Sequence, residues 1–541
     1  MKNGARYLLL LLLVSMFLFI FGLGNMALTD PDETFYAQTA KEMLENGEWA
    51  TPMIFGKPQF EKPVLYYLLV RMSFMVFGVN EFAARLPSAL FGILGILGIY
   101  LLGRVLFSPL SGFLSGLVMA TCIEYLILSR ACVTDIVLAV FILYCFLFFL
   151  LGWTGKGKGY YLASSVMAAL AVLTKGPIGI FIPFVVITLY LSLSRQWGKV
   201  RGVPVFASIL IFLIISLPWY IVMLRIHGDA LVSEFFGVHN VIRFMEPEHR
   251  IGISPFFYIP VVLAGFYPWT FFLPFGAWNM YRHDKPGGQG TEVKGYRLFL
   301  LLWFLVVFLF FSAARTKLVT YIFPLFPVLA VVTGRFLELS LVKTGDRNIE
   351  RYTTLSYIFF FIFTVLGLGG IYVFIMKKYP AIAGGAALSE VIFVLGVILS
   401  LLFYRSKRKA LAFYSIIITI VILTLPVVLS VLPVVGDLES SRFLSVKFKE
   451  LAGPGEPLGG ENDHRRGVAF YTGRTEIADV HPYQDLVDFV SRKERVWCIM
   501  QKKHYDQLRD NMPDSVTEPL FRSGKYVLVN NKPGLKIKDQ E

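Results

Sequence analysis

Residues 7 to 33 read "YLLLLLLVSMFLFIFGLGNMALTDPDE", and this stretch decides the class of fold. The apolar run from residue 7 to 24 is long enough to cross a bilayer, and carboxylates follow it at the membrane edge. Lys2 and Arg6 precede the run, as in a signal peptide. Because no small-residue cleavage site follows and the next polar segment carries acids, we interpret the run as a retained transmembrane helix.

The rest of the chain repeats this apolar pattern. It has 541 residues, of which 56% are hydrophobic and 16% charged, and a mean hydropathy of +0.64. These values predict a polytopic α-helical membrane protein. Thirteen candidate spans are centred near residues 17, 93, 118, 141, 167, 185, 213, 267, 304, 328, 365, 394 and 421.

The net charge of +14 raises the question of nucleic-acid binding, which the placement of the charges argues against. Lys and Arg collect in alternate loops, as the positive-inside rule describes. The N-terminus is then inside, and the segment after residue 434 is outside. The basic positions are Lys2 and Arg6; Arg104; Lys156 and Lys158; Arg195, Lys199 and Arg201; Arg282, Lys285, Lys294 and Arg297; Lys343, Arg347 and Arg351; and 405–409.

The chain is expected to contain two domains. Residues 1–433 form the transmembrane domain, including a long outer loop at 28–81, and residues 434–541 form a soluble α/β domain. In the second domain we predict strands at "GVAFYT", "RVWCIM" and "YVLVNN" and helices at "YQDLVDFVSRK" and "YDQLRDN". The four cysteines suggest neither a disulfide framework nor a metal site.

Acidic residues at membrane depth are the first candidates for chemistry. Asp32 and Asp135 are predicted to be functional, because carboxylates near lipid are costly without a role. Glu33 is interpreted as a first-turn acid or a supporting residue, and Asp30, before Pro31, as a turn residue. A structural pairing of Asp135 with Arg130 is the alternative to a functional role.

Cations and other polar groups occupy the same outer level. "FEKP" places Glu61 beside Lys62, which is suited to a phosphate or to an ordinary surface ion pair. Lys175 either extends to the interface or meets an anionic headgroup. The remaining candidates are two pairs four residues apart, His239 with Arg243 and Lys317 with Tyr321. Together with the acids they suit a phosphorylated lipid and an oxygen nucleophile.

These segments also carry a resemblance to a known family. The chain resembles the bacterial polyprenyl-phosphate-sugar-dependent glycosyltransferases of the GT-C superfamily, which include the ArnT-type lipid A aminoarabinose transferases and relatives of the protein O-mannosyltransferases. The resemblance covers the spans and extends loosely to the C-terminal domain. The motifs, in order, are "PDETFYAQTAKEML", "FEKP", "TD" at residues 134–135, "LTKGP", "HNVIRF", "PWTFFLP" and "KLVTYIFPLFP".

The resemblance implies a GT-C fold and a role for each matched residue. Asp32 and Asp135 match the two family acids, and Glu61 with His239 matches a divalent-metal pair (Zn or Mg). The groups around the donor phosphate are Lys62, Arg243, Tyr321 and Lys175, with Lys317 nearby. Phe35 and Gln59 replace the arginine of "DETRY" and the tyrosine of "YFEKP", and both positions are expected to affect the choice of sugar and acceptor.

The function that the resemblance implies is inverting transfer of a sugar from a polyprenyl-phosphate donor to a lipid or glycan acceptor, lipid A or another envelope glycolipid. The protein is then expected in the bacterial inner membrane, with its active site and C-terminal domain on the periplasmic side. Three alternatives stay open: a protein O-mannosyltransferase, a transporter or flippase for a lipid-linked substrate, and a membrane scaffold. Charges on one face rather than at the midplane disfavour the transporter.

Overall fold

The structure is a computed structural model that describes residues 2–235, 237, 254–282, 295–343, 345–461, 464–481, 483–511 and 518–532. Its contacts divide the chain into two compact units. We call the first the membrane unit; it comprises Met1–Phe21, Phe60–Tyr66 and Pro87–Pro426. The second, the α/β unit, comprises Gly22–Gln59, Tyr67–Leu86 and Val427–Glu541. The division predicted after residue 433 stays a sequence-based prediction.

Most of the described chain is helical, as the apolar runs predict. The α-helices are α1 (Lys2–Ile20), α2 (Asp32–Glu45), α3 (Leu65–Phe77), α4 (Glu81–Leu106), α5 (Pro109–Ala120), α6 (Ile123–Ser129), α7 (Asp135–Trp153), α8 (Gly159–Lys175), α9 (Ile178–Leu193), α10 (Val205–His227), α11 (Asp229–Leu231), α12 (Tyr258–Gly265), α13 (Leu273–Arg282), α14 (Tyr296–Ala313), α15 (Phe326–Val342), α16 (Arg347–Lys378), α17 (Ala383–Arg405), α18 (Lys409–Pro426), α19 (Leu432–Glu439), α20 (Arg442–Leu451), α21 (Arg465–Thr472), α22 (Tyr483–Val490) and α23 (Lys502–Asn511). Tighter 3₁₀ turns occur at Trp197–Gly202, Trp269–Phe271, Val319–Leu325 and Pro380–Ile382.

The described residues contain fewer candidate membrane spans than the thirteen predicted from the sequence. By length and composition, eight helices of the described chain qualify, or up to ten when two bent pairs each count as one span. The thirteen predicted centres fall on helices or, near residue 267, in the bend between α12 and α13. The difference arises because the helices at the first, fifth and sixth predicted positions have an apolar length of at most 17 residues, near the lower limit for a crossing.

Small residues let helices of the membrane unit approach closely. α5 packs against α15, and a Cβ at Gly334 would collide with the Ser115 side chain and backbone. α7 packs against α8, where the Ser164 hydroxyl donates to the Cys145 carbonyl at 2.8 Å. Such contacts are typical of helices that associate within lipid.

The α/β unit contains one mixed five-stranded sheet. Its strands, in spatial order, are Ala478–Asp479, Leu458–Gly460, Trp497–Gln501, Tyr526–Asn530 and Phe521–Ser523. The first three are parallel, and Tyr526–Asn530 pairs antiparallel with both of its neighbours. A separate two-stranded hairpin joins Met53–Ile54 to Lys57–Pro58.

Helices cover both faces of the sheet. Trp497 and Ile499 pack with Leu444 of α20 and Val468 of α21, whereas the alternate residues of the same strand pack with α22 and α23. This alternation is expected for a strand that is buried on both faces. The predicted C-terminal α/β region is therefore confirmed as a three-layer arrangement.

One predicted strand of this region is wrong. "GVAFYT" lies in helix α21, although the strands predicted at "RVWCIM" and "YVLVNN" and both predicted helices are present. A run of six residues is too short for periodicity to separate a strand from a buried helix. Gly473, at a φ of +76°, follows α21 and donates its backbone N–H to the Ala469 carbonyl, which ends the helix.

Candidate active site

Three of the predicted site residues meet in the membrane unit. The Lys175 Nζ lies 2.6 Å from Asp135 Oδ1 and 4.7 Å from the centroid of the Tyr321 ring. The side chains of Lys175 and Asp135 are only 12% and 10% exposed. We call Asp135, Lys175 and Tyr321 the lysine cluster; it combines a paired ammonium, a carboxylate and an aromatic face.

The helical hairpin of α7 and α8 explains why Asp135 and Lys175 meet. Asp135 is the first residue of α7, and Lys175 is the last residue of α8. A short connection joins the two packed helices, so the start of one lies level with the end of the other. The carboxylate lies at a positive helix terminus and the ammonium at a negative one, which favours both charges.

Lys317 and Tyr321 lie on the irregular segment between α14 and α15. The buried Lys317 Nζ donates to the Ala314 carbonyl at 2.6 Å. The Tyr258 hydroxyl donates to the Leu318 carbonyl at 3.1 Å. These bonds hold the 3₁₀ turn that presents Tyr321 to Lys175. A phosphate contact of Lys317 itself stays a prediction.

The sequence left open a structural pairing of Arg130 with Asp135, and the structure gives each of them other partners as well. Its guanidinium donates to the Leu18 and Phe21 carbonyls at 2.8 and 2.9 Å, and the ion pair of Asp135 is formed with Lys175. Glu124, which the sequence reasoning did not select, is buried close enough to Asp135 for the two carboxylates to interact electrostatically. The sequence feature that indicates Glu124 as a candidate is an acidic residue inside an apolar run.

The "FEKP" segment is anchored through its first residue. Phe60 is buried against Met223, Leu231 and Phe235. The half-buried Lys62 donates from Nζ to the Glu61 carbonyl at 3.1 Å. Two predicted site residues that follow Phe235, His239 and Arg243, lie outside the described residues.

In the α/β unit, Arg85 holds the loop that leads to Asp32. Its Nε and Nη2 bond the two oxygens of Glu33, each at 2.7 Å. Its remaining donors reach three backbone carbonyls, those of Leu23, Met26 and Ala27. All five N–H groups of the guanidinium are therefore used. The side chains of Arg85 and Glu33 are 3% and 4% exposed.

Asp32 and Glu33 lie in the first turn of α2, where the sequence analysis placed Glu33. Glu33 also accepts from the Thr29 backbone N–H at 3.0 Å, so its carboxylate ties the preceding loop to the helix. Glu33 therefore holds this turn in place, and a supporting role in the active site stays a prediction. Asp32 is the adjacent residue, and its position depends on this arrangement.

Asp30 is a buried structural residue rather than a simple turn residue. It accepts from the Thr34 hydroxyl at 2.8 Å and from the Ser441 backbone N–H at 2.7 Å. Gly467 packs so closely that an added Cβ there would collide with the Asp30 carboxylate. Burial raises the pKa of Asp30 to about 6, although the hydrogen bonds from Thr34 and Ser441 lower it. No local sequence signal distinguishes this burial from an exposed turn.

The raised pKa of Asp30 predicts that stability falls as pH rises from about 4 to about 6. In that window the folded chain holds a proton that the unfolded chain has released, so each increase in pH favours unfolding. The expected loss is up to about 3 kcal/mol. In Asp30→Asn, position 30 has no group that titrates. The thermal midpoint of this variant minus that of the wild type is therefore expected to increase from about pH 4 to about pH 6.

Thermal unfolding in detergent between pH 4 and 7 measures this effect. Asp510→Asn removes an exposed acid of the same unit and is expected to follow the wild type at every pH. A constant difference between wild type and Asp30→Asn over the whole range would contradict the assignment.

Comparison with known proteins identifies the family of this chain. A family model described as dolichyl-phosphate-mannose-protein mannosyltransferase matches residues 61–221. A protein of Proteus mirabilis (strain HI4320), named undecaprenyl phosphate-alpha-4-amino-4-deoxy-L-arabinose arabinosyl transferase 1, is 31% identical over 391 residues. The alignment covers 70% of this chain and 67% of that protein. The chain belongs to the ArnT-like GT-C glycosyltransferases.

Other members of the ArnT-like family agree with this assignment. The Enterobacter sp. (strain 638) arabinosyl transferase is 31% identical over 338 residues, which cover 62% of this chain and 60% of that protein. The matched region thus spans 60% to 67% of the length of these two transferases. A solved structure of ArnT from Cupriavidus metallidurans has a TM-score of 0.82 at 22% identity and covers 99% of both chains. The predicted fold, a polytopic helical membrane protein with a C-terminal α/β region, is therefore the ArnT fold.

Proposed function

We propose that this chain transfers a sugar from a polyprenyl-phosphate carrier to an acceptor lipid of the cell envelope. The observation that carries the proposal is the lysine cluster, in which a buried ammonium is held against Asp135 beside the Tyr321 ring. An ammonium in a site of low dielectric stabilises an anionic leaving group more strongly than it does in water. Membership in a family of glycosyltransferases supports the same reaction.

The reaction is a displacement at the anomeric carbon. The acceptor oxygen forms a bond to this carbon as the bond to the phosphate oxygen breaks, and the configuration inverts. The polyprenyl phosphate leaves with the bonding electron pair, and the Lys175 ammonium offsets its charge. Asp135, 2.6 Å from that ammonium, orients it. Lys62 and Arg243 are proposed to contact the same phosphate.

Asp32 is proposed to act on the acceptor. An acceptor hydroxyl needs a base to remove its proton, and a carboxylate within hydrogen-bond distance supplies one. An acceptor phosphate is already anionic, and Asp32 then orients the reacting groups. The hydrogen bonds of Arg85 to Glu33 hold the turn on which the exposed Asp32 lies.

The names of the relatives suggest the substrates. The Proteus and Enterobacter proteins are named for undecaprenyl phosphate-linked 4-amino-4-deoxy-L-arabinose, and the Cupriavidus structure is described as bound to undecaprenyl phosphate. We propose undecaprenyl phosphate as the carrier, aminoarabinose as the sugar and lipid A as the acceptor. The location proposed with them is the bacterial inner membrane, with the site on its periplasmic side.

The family resemblance suggests a divalent metal held by Glu61 and His239. Among the described residues there is no group of three His, Cys, Asp or Glu side chains that could hold a metal ion. Glu61 offers one carboxylate, and its proposed partner His239 lies outside those residues. Binding of Zn²⁺ or Mg²⁺ by Glu61 and His239 stays a proposal.

A second candidate function is protein O-mannosylation. The family model that matches residues 61–221 is described by that activity, with dolichyl-phosphate mannose as the donor. The two candidates share the carrier-phosphate chemistry and differ in the acceptor, which is a hydroxyl of a protein in the second case. Radiolabel found in protein rather than in lipid would favour this alternative.

Asp32→Asn tests the proposed reaction. We expect transfer of radiolabelled sugar from a polyprenyl-phosphate donor to host lipid extract to fall by about 10²- to 10⁴-fold, because the variant cannot accept a proton or orient the acceptor as a carboxylate does. Binding of the donor is expected to survive, since Asp32 is assigned to the acceptor. Single-turnover transfer and equilibrium donor binding are measured on the same purified protein.

Glu45→Gln provides the matched control, because Glu45 is the half-exposed acid at the other end of α2. It is expected to transfer sugar at the wild-type rate. Wild-type transfer by Asp32→Asn would reject the assigned role. Absence of transfer from every donor by the wild type, with lipid or ion flux in liposomes instead, would reject the enzyme function.

A further inference from the structure

Arg71 lies on the part of α3 that belongs to the α/β unit. Its side chain is buried, and two of its nitrogens make no hydrogen bond within the described chain. The residue is 4% exposed, and its Nε and Nη1 have no hydrogen-bond partner within the described chain. Buried guanidinium donors without acceptors are costly, and native proteins usually satisfy them. This arginine therefore points to a ligand that supplies acceptor oxygens.

The stacking of Trp49 on Arg71 leaves those donors available. The guanidinium carbon lies 3.6 Å from the centroid of the Trp49 ring. A stacked ring covers the face of the guanidinium, whereas its N–H groups point outward in the plane. Hydrogen-bond acceptors must therefore approach the in-plane edge of the guanidinium. Two oxygens of a phosphate match the two parallel N–H donors of that edge.

The surroundings of Arg71 are those of a membrane interface. On α3 the neighbouring Met72, Met75 and Val76 face outward, at 46%, 57% and 73% exposure. They lie at i, i+3 and i+4 and form one stripe, which we call the outer stripe. α3 has 13 residues, too few to cross a bilayer. A short helix with an exposed apolar stripe and an adjacent tryptophan is typical of an interfacial helix.

We propose that Arg71, Trp49 and the outer stripe bind an anionic phospholipid of the surrounding bilayer. The lipid phosphate accepts from the guanidinium edge, and the acyl chains lie along Met72, Met75 and Val76. Glu48, which is exposed, interacts electrostatically with Arg71 and opposes the lipid charge. The site serves as an attachment of the α/β unit to the bilayer surface and takes no part in glycosyl transfer.

Native mass spectrometry of the full chain with added phosphatidylglycerol or phosphatidylcholine tests this site. The wild type is expected to retain phosphatidylglycerol in preference to phosphatidylcholine. Arg71→Met is expected to weaken phosphatidylglycerol binding about 10- to 100-fold, since charge-assisted hydrogen bonds are lost. Arg71→Lys keeps a point charge, and its affinity for phosphatidylglycerol is expected to lie between those of the wild type and Arg71→Met. Glu48→Gln is expected to bind about 2- to 5-fold more tightly.

Lys57→Met serves as the matched control, because it removes an exposed cation of the same unit. It is expected to bind phosphatidylglycerol as the wild type does. Equal binding by wild type and Arg71→Met, an equal loss in Lys57→Met, or equal retention of the two phospholipids would overturn the proposal. Retention of added lipid A in place of phosphatidylglycerol would overturn the assignment to a bilayer phospholipid. The Glu48→Gln comparison keeps the test valid if Arg71→Met does not fold.

Discussion

Arg85→Met is expected to destabilise the protein by at least about 3–5 kcal/mol, the usual cost of breaking a buried ion pair from one side. The variant leaves the Glu33 carboxylate buried without its cation. It also removes the donors to the carbonyls of Leu23, Met26 and Ala27. Because the loop before Asp32 loses these bonds, transfer is expected to be lost together with stability. Thermal unfolding and transfer activity at one pH measure both effects.

Two further variants separate charge from geometry. Arg85→Lys keeps the positive charge but offers three donors instead of five in a planar fork, so partial destabilisation is expected. The double variant Glu33→Gln with Arg85→Met removes the unpaired charge and is expected to be more stable than Arg85→Met alone. A wild-type thermal midpoint for Arg85→Met would contradict the structural role.

Lys175→Met is expected to lower transfer by about 10²- to 10³-fold, the scale found when one donor to a developing anion is removed. The loss arises because the leaving phosphate no longer meets an ammonium. Stability is also expected to fall, since Asp135 remains buried without the partner that lies at 2.6 Å. Single-turnover transfer and the thermal midpoint are compared with those of the wild type.

The double variant Asp135→Asn with Lys175→Met distinguishes a catalytic ammonium from a structural ion pair. It is expected to regain most of the stability lost in Lys175→Met, whereas transfer stays low. Lys158→Met, at the exposed opposite end of α8, is the matched control and is expected to be fully active. Recovery of transfer in the double variant would show that the ion pair matters only for folding.

The membrane helices were predictable because long apolar runs carry a strong signal. Helices α4, α7 and α10 appear where such runs occur, and the disagreement in span number concerns helices whose apolar length is at most 17 residues. The C-terminal region was harder, because short apolar runs of similar length form the strand Trp497–Gln501 and the helix α21. Tertiary packing decides between those two outcomes.

The sequence indicates the candidate site residues one by one, but it does not indicate their partners. Asp135 and Lys175 were selected because charged groups are rare in apolar runs, and their contact required the α7–α8 hairpin. Arg85 carried the same signal and was missed, since its partner Glu33 is far away in the sequence. The burial of Asp30 has no local signal, because the Ser441 N–H that donates to it lies 411 residues later in the chain.

The α/β unit joins residues 22–59 to residues 427–541, and this has a consequence for biosynthesis. The ribosome makes residues 22–59, which include Asp32, early. It makes residues 427–541, which pack with that segment, last. At about 5–20 residues per second, roughly 20 to 80 seconds separate the synthesis of Asp30 from that of Ser441, 411 residues later. During that time Asp30 has neither Ser441 nor Gly467 beside it, and the Leu28 N–H lacks the Tyr471 hydroxyl to which it donates at 2.7 Å. The nascent chain therefore reaches the membrane before the surroundings of Asp32 exist, and only the finished chain can complete them.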